Sequence, residues 1–189
     1  MKSLQTIKSV IFTLIILVCF SSCSKDDINT ESEFSGVSVK LKSTVGTLDK
    51  VYIEVESVQL RVKENANAAD AWITLNTIND GAQKASDFVQ DSELLLVDDF
   101  EVNSTSIYEI RLVLGDNNFM DMNNILYSLD ITESGNATPS NLVQSELLAN
   151  RFYDFTIEID IDESVSFNED ENMMVLNPKI YTELRQTKY

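Results

Sequence analysis

The chain has 189 residues, with 31 acidic against 14 basic side chains, a net charge of −17 and no histidine. So acidic a surface repels nucleic acid and anionic headgroups, whose capture needs lysine and arginine to neutralise phosphates. The missing histidine rules out Ser-His-Asp and Cys-His nucleophile systems, and five scattered glycines form no phosphate-cradling loop.

The first element along the chain is a targeting segment. Lys2 and Lys8 lead into an apolar run from Val10 to Phe20, which closes on Phe20-Ser21-Ser22-Cys23. The run is about eleven residues long, too short for a hydrocarbon core that needs ~20. Two small residues before a cysteine fit a peptidase pocket beside the scissile bond. The pattern resembles the bacterial lipoprotein signal, in which the chain is cut before the cysteine and its sulfur is acylated. Cys19 competes for that role, but bulky Val18 precedes it. A signal peptide over 1–22 and a lipid on Cys23 are therefore expected. Losing the signal removes two lysines and no acid, leaving 12 basic against 31 acidic residues and a net charge of −19. It also leaves the folded domain without a free thiol, so neither a disulfide nor an ordinary zinc site is expected there. Ser24-Lys25-Asp26-Asp27 resembles the surface-export signal of Bacteroidetes lipoproteins, which implies an outer-membrane protein facing the cell exterior. Residues 23–34 are polar and aperiodic, a flexible acidic tether that reaches about 17–20 Å as a random coil.

Residues 35–189 suit one domain, whose strands announce themselves by a period of two. Val37, Val39 and Leu41 alternate with polar neighbours, as do Val51, Ile53 and Val55. The phase slips at Glu56-Ser57 before Val58, Leu60 and Val62, which predicts a bulge. Ala82 to Gln90 and Ser140 to Asn150 have helix-like composition and are expected to give one or two short turns, with Ser140 as an N-cap. Trp72 to Leu75, Ile107 to Leu114 and Ile125 to Ile131 read as strands, with Tyr108, Ile110, Leu112 and Leu114 sharing a face. Phe155, Ile157, Ile159 and Ile161 make the cleanest amphipathic strand, and Met174 to Ile180 the last, with Pro178 at an edge or bulge. Short strands without helical crossovers predict an all-β fold, an antiparallel β-sandwich.

Lys50 to Val62 (KVYIEVESVQLRV), Ala71 to Leu75 (AWITL), Tyr108 to Asn118 (YEIRLVLGDNN) and Val175 to Ile180 (VLNPKI) resemble a bacterial lipoprotein family, domain of unknown function 4382. The resemblance covers roughly Val37 to Glu183. Where the family carries a Pro-Ala-Gly-type turn before the Tyr108 strand, this chain has Ser104-Thr105-Ser106. The resemblance implies an immunoglobulin- or prealbumin-like sandwich on an envelope lipoprotein. It implies no catalytic residues.

Only carboxylate chemistry is left for catalysis, and acids in so acidic a chain fall near one another by chance, so no enzyme is expected. Calcium is the one metal the oxygens could suit. Asp116, Asn117, Asn118 and Asp121 offer oxygens in a turn, and Asp160, Asp162 and Glu163 with Glu169 to Glu171 flank a second loop. Neither has the spacing of a calcium loop, and solvated strand faces and a hairpin tip explain them more simply. Trp72 could stack a sugar but is expected as a core anchor. Arg111 is expected to pair with Glu109 or Glu158. The function expected is a non-catalytic binding or accessory module for a glycan or an envelope protein. The alternative is an assembly subunit or anchor of a surface appendage, taking a partner strand on an open sheet edge. A carboxylate-dependent hydrolase is the least favoured.

Overall fold

A computed structural model describes residues 33–44, 46–48, 50–89, 92–131 and 136–188. The expected signal peptide, Cys23, Ser24 to Asp27 and the expected tether up to residue 32 lie outside the described residues. Thirteen strands follow in chain order: β1 (Phe34–Ser43), β2 (Val51–Arg61), β3 (Trp72–Leu75), β4 (Gly81–Lys84), β5 (Leu94–Asn103), β6 (Thr105–Leu114), β7 (Phe119–Met122), β8 (Ile125–Asp130), β9 (Ser140–Leu147), β10 (Arg151–Asp160), β11 (Val165–Asn168), β12 (Met173–Leu176) and β13 (Lys179–Lys188). Two single turns of helix interrupt them, a 3-10 turn at Ala85–Phe88 and α1 at Ile161–Ser164.

The strands form an all-β sandwich of two sheets. One has four strands in the order β13-β10-β1-β5; the other has nine, β11-β12-β8-β7-β2-β6-β9, with β3 and β4 also pairing β2. Alternation fixes which faces meet. Val37, Val39 and Leu41 of β1 and Tyr153, Phe155, Ile157 and Ile159 of β10 bury one face, against Ile53, Val55, Leu60, Ile110 and Leu112 of the larger sheet. The slip after Val55 is the expected bulge, seen in the β2–β6 register between Val55 and Ser57.

Several expectations need correction. The sheets are mixed: β1 runs parallel to β10 over eight residue pairs, and β12 runs parallel to β8. Ser140 begins strand β9, not a helix, because its pairing with β6 outweighs the weak helical composition. The segment from Ala82 is strand before its 3-10 turn, and the helix α1 at Ile161 is capped by Asp160, whose Oδ1 accepts the Glu163 N–H at 3.1 Å. Within Ile107 to Leu114, Tyr108 leaves the Ile110 face because the β6–β9 register shifts between Ile107 and Glu109. Phe34, expected as the last residue of the tether, opens β1. The final strand is two, β12 and β13, broken at Asn177-Pro178 where Asn177 donates its N–H to the Ser164 carbonyl. At Ser104, both the backbone N–H and the hydroxyl donate to the Glu33 carbonyl, 2.7 and 2.9 Å away, which ties the β5–β6 turn without a glycine.

Candidate binding groove

Two hairpins at one end of the larger sheet build a groove. The first, β7–β8, turns through Asn123 and Asn124, both at positive φ (55° and 61°), the mirror-image turn that asparagine tolerates. The second, β11–β12, turns at Asn168, whose Oδ1 accepts the Asp170 and Glu171 N–H groups, and at Asn172 with φ 54°. The hairpins join through only two residue pairs, Met174 with Leu129 and Val175 with Asp130, and beyond these they part.

Cross-strand partners share a face. Met120 pairs Tyr127, Met122 pairs Ile125, and Phe167 pairs Met174. Met120 and Leu129 are buried against the core, so this is the core-facing side of the sheet. The four-stranded sheet contributes no residue to the groove walls, so here the larger sheet extends past its cover. The uncovered space is about 780 Å³, lined by Met120, Met122, Met173, Met174, Tyr127 and Phe167, with Leu48 at its end and Asp130 on one wall. Phe167 is 54% exposed and Met122 44%. Four of the chain's five methionines thus meet in one place. Methionine's flexible, polarisable side chain suits surfaces that adapt to their partner.

Two acids outside the groove, Asp162 and Asp121, hold its surroundings. Asp162 accepts the N–H of Thr47 at 2.8 Å and of Leu48 at 3.2 Å, and so holds the β1–β2 loop that carries Leu48. Those N–H groups, Thr47 first, keep its carboxyl below the usual range, against a smaller opposing effect of burial. Asp121 of β7 pairs Lys50 at 3.1 Å, and its other oxygen, Oδ1, is buried without a hydrogen-bond partner.

Two of the calcium candidates, Asn118 and Asp121, have other partners. Asn118 is buried and bonded at both ends of its amide: its Oδ1 accepts the Glu54 N–H at 2.8 Å, and its Nδ2 donates to the Gly115 carbonyl at 2.6 Å. Asp116 is exposed at the β6–β7 turn, while Asp121 lies on β7. The second set also has local partners, Asp160 in the α1 cap and Asp162 on the β1–β2 loop. Among the described residues no three acids, cysteines or histidines form a group able to hold a metal.

Trp72 is not a core anchor. It sits half-buried on the outer face of β3, with the Arg111 guanidinium 3.7 Å from its ring centroid. Nor does Arg111 bond an acid; its Nε donates to Gln59 Oε1 at 2.7 Å, and desolvation lowers its pKa, with nearby Glu109 opposing. Glu109 instead pairs Arg61 at 2.8 Å, and Arg61 also donates to the Lys63 and Glu64 carbonyls. The exposed aromatics Phe34, Phe167 and Tyr181 stand on three different strands, β1, β11 and β13, and make no row.

The groove was not legible in the sequence. Its one signal was the clustering of methionines as Met120/Met122 and Met173/Met174, and only the parallel β8–β12 pairing brings the clusters together.

No curated protein and no solved structure matches the chain. One family does, described as a domain of unknown function (DUF4382), matched over residues 35–178. That span takes in most of the sandwich and both groove hairpins, and the chain belongs to this family.

Proposed function

We propose that this chain is a lipid-anchored lipoprotein of the outer membrane, displayed toward the cell exterior, acting as a non-catalytic binding module for another envelope protein. The groove between the β7–β8 and β11–β12 hairpins carries the reading. A methionine-rich apolar surface of that size, with Asp130 the one acid on its wall among the described residues, suits a protein partner better than a sugar, which needs aligned aromatic platforms and polar groups. The Phe20 to Cys23 pattern and the acidic residues after it support the location. Several acyl chains on Cys23, each methylene adding about 0.8 kcal/mol, would hold the domain at the bilayer. The open backbone edge of β8 favours one second reading, an assembly subunit held permanently against its neighbour.

Two experiments test this. Intact mass of the membrane-extracted protein should show a chain that begins at Cys23 with added acyl mass, and proteinase shaving of live cells should remove it; an unacylated soluble mass contradicts the location. Chemical cross-linking of live cells should give a protein adduct that disappears in a Met122→Asp/Phe167→Asp double variant. An adduct that persists in the variant, or none in either, contradicts the groove as the binding site. Recovery after detergent as a fixed stoichiometric complex would mark the assembly reading.

A further inference from the structure

We infer that the occupant of the groove is an extended segment of a partner protein, apolar on one face and basic at its flanks, which adds to β8 as a further strand. The inference rests on the reading of the groove as a binding site and names what it takes.

The backbone supplies the first argument. Among the described residues, Ile125 to Ser128 of β8 have bridge partners on β7 alone, because β12 joins β8 no earlier than Leu129. Leu129 directs its N–H toward β7, onto the Asn118 carbonyl at 2.9 Å. In an antiparallel ladder successive residues alternate direction, so Leu126 turns its N–H and C=O outward, along the groove, and Ser128 its N–H, while the Ser128 C=O belongs to the Leu129–Met174 bridge with β12. Unpaired edge groups of this kind are the template for strand addition. The side chains supply the second argument. An added strand would place alternate residues over the face that carries Met122, Tyr127, Phe167 and Met174, and methionine accommodates side chains of varied shape.

Charge selects the partner. Among the described residues no lysine or arginine lines the groove, Asp130 stands on its wall, and Glu169, Asp170 and Glu171 form the tip of the hairpin that bounds it. Lys50, which lies beside Leu48, Met120 and Met122, is already paired with Asp121. An anionic lipid would find no counter-charge there, and a second copy of this chain, itself at −17, would be repelled. Lysine or arginine flanks on the entering segment meet complementary charge.

A displayed library of random dodecapeptides, selected on the purified full chain, tests this. Counter-selection uses the Met122→Asp/Phe167→Asp variant, whose exposed positions should leave its melting temperature unchanged. Surviving peptides should alternate apolar residues, carry basic flanks, weaken with salt and bind the variant at least about tenfold less tightly. A second variant, Leu126→Pro, removes one outward N–H without altering the methionine walls, and should also weaken binding about tenfold. Groove-dependent peptides of helical spacing or acidic character, or binding indifferent to Leu126→Pro, overturn this inference and leave the binding module standing. If no survivor distinguishes chain from variant and no cellular adduct depends on the groove, both readings fall. Groove-dependent uptake of a fluorescent fatty acid, or salt-dependent dimerisation lost in the variant, would assign the groove to lipid or to a second copy and overturn the inference.

Discussion

Asn118 is 2% exposed, and its amide joins the Glu54 N–H to the Gly115 carbonyl, bridging β2 to the β6–β7 turn. Removing a buried polar side chain that satisfies two backbone groups costs the desolvation of both. Asn118→Ala should therefore lose about 2–4 kcal/mol in urea denaturation, and Asn118→Asp, which sets a carboxylate against the Gly115 carbonyl, should lose a similar amount. Asp162 acts differently. Its folded-state pKa lies below the ordinary 3.8, so its contribution to stability is complete above about pH 4–5 and disappears as pH falls through the depressed folded value. Stability measured from pH 6 down to pH 2 should show wild type ahead of Asp162→Asn at the upper end and the two converging at the lower. The gap should be small, about 1 kcal/mol or less, because the carboxylate is exposed. A gap that widened on acidification would contradict the hydrogen bonds to Thr47 and Leu48.

Single strands were legible where alternation was long and their inner face uniform. Val37 to Leu41, Val51 to Val55 and Phe155 to Ile159 each bury one apolar face, and the structure buries all nine of those apolar residues. The strand β9 was not legible because its alternation is broken. In the register with β6, Val143 and Gln144 together oppose Tyr108, and Gln144 takes φ 48° at this bulge. A run with one extra residue reads as helical spacing. Glycine accepts positive φ at no steric cost, so Gln144→Gly should leave stability unchanged or raise it by about 0.5 kcal/mol, whereas Gln144→Val should cost 1 kcal/mol or more, roughly, by thermal melting. The candidate site was hidden for a related reason. Sequence pattern places residues on faces, but pairing decides which faces extend past their cover. Gln59 with Arg111 and Arg61 with Glu109 are likewise products of the β2–β6 register, which carried Arg111 away from the acid it was expected to meet.

The whole sandwich depends on contacts remote in sequence. β1 finds its central partner β10 more than a hundred residues later, and β13 then closes that sheet through ten pairs with β10. Chains dominated by such pairings fold slowly, so refolding should take milliseconds to seconds, not microseconds. Deleting residues 179–189 removes β13, bares the apolar edge of β10 and takes Ile180 from the core. That truncated chain should fail to give a cooperative melt, and a normal transition would show that β13 is dispensable. The same architecture leaves the β7–β8 and β11–β12 hairpins beyond the cover of the smaller sheet, and the groove between them is the central claim. The chain carries its own reporters for it, because every methionine after residue 1 lines that groove. The most direct measurement is a methionine-methyl carbon-13 NMR spectrum of the purified chain, titrated with a peptide selected as above. The account predicts that the signals of Met120, Met122, Met173 and Met174 shift or broaden together at saturation. A peptide that binds while all four stay fixed would place the interaction elsewhere and contradict the groove.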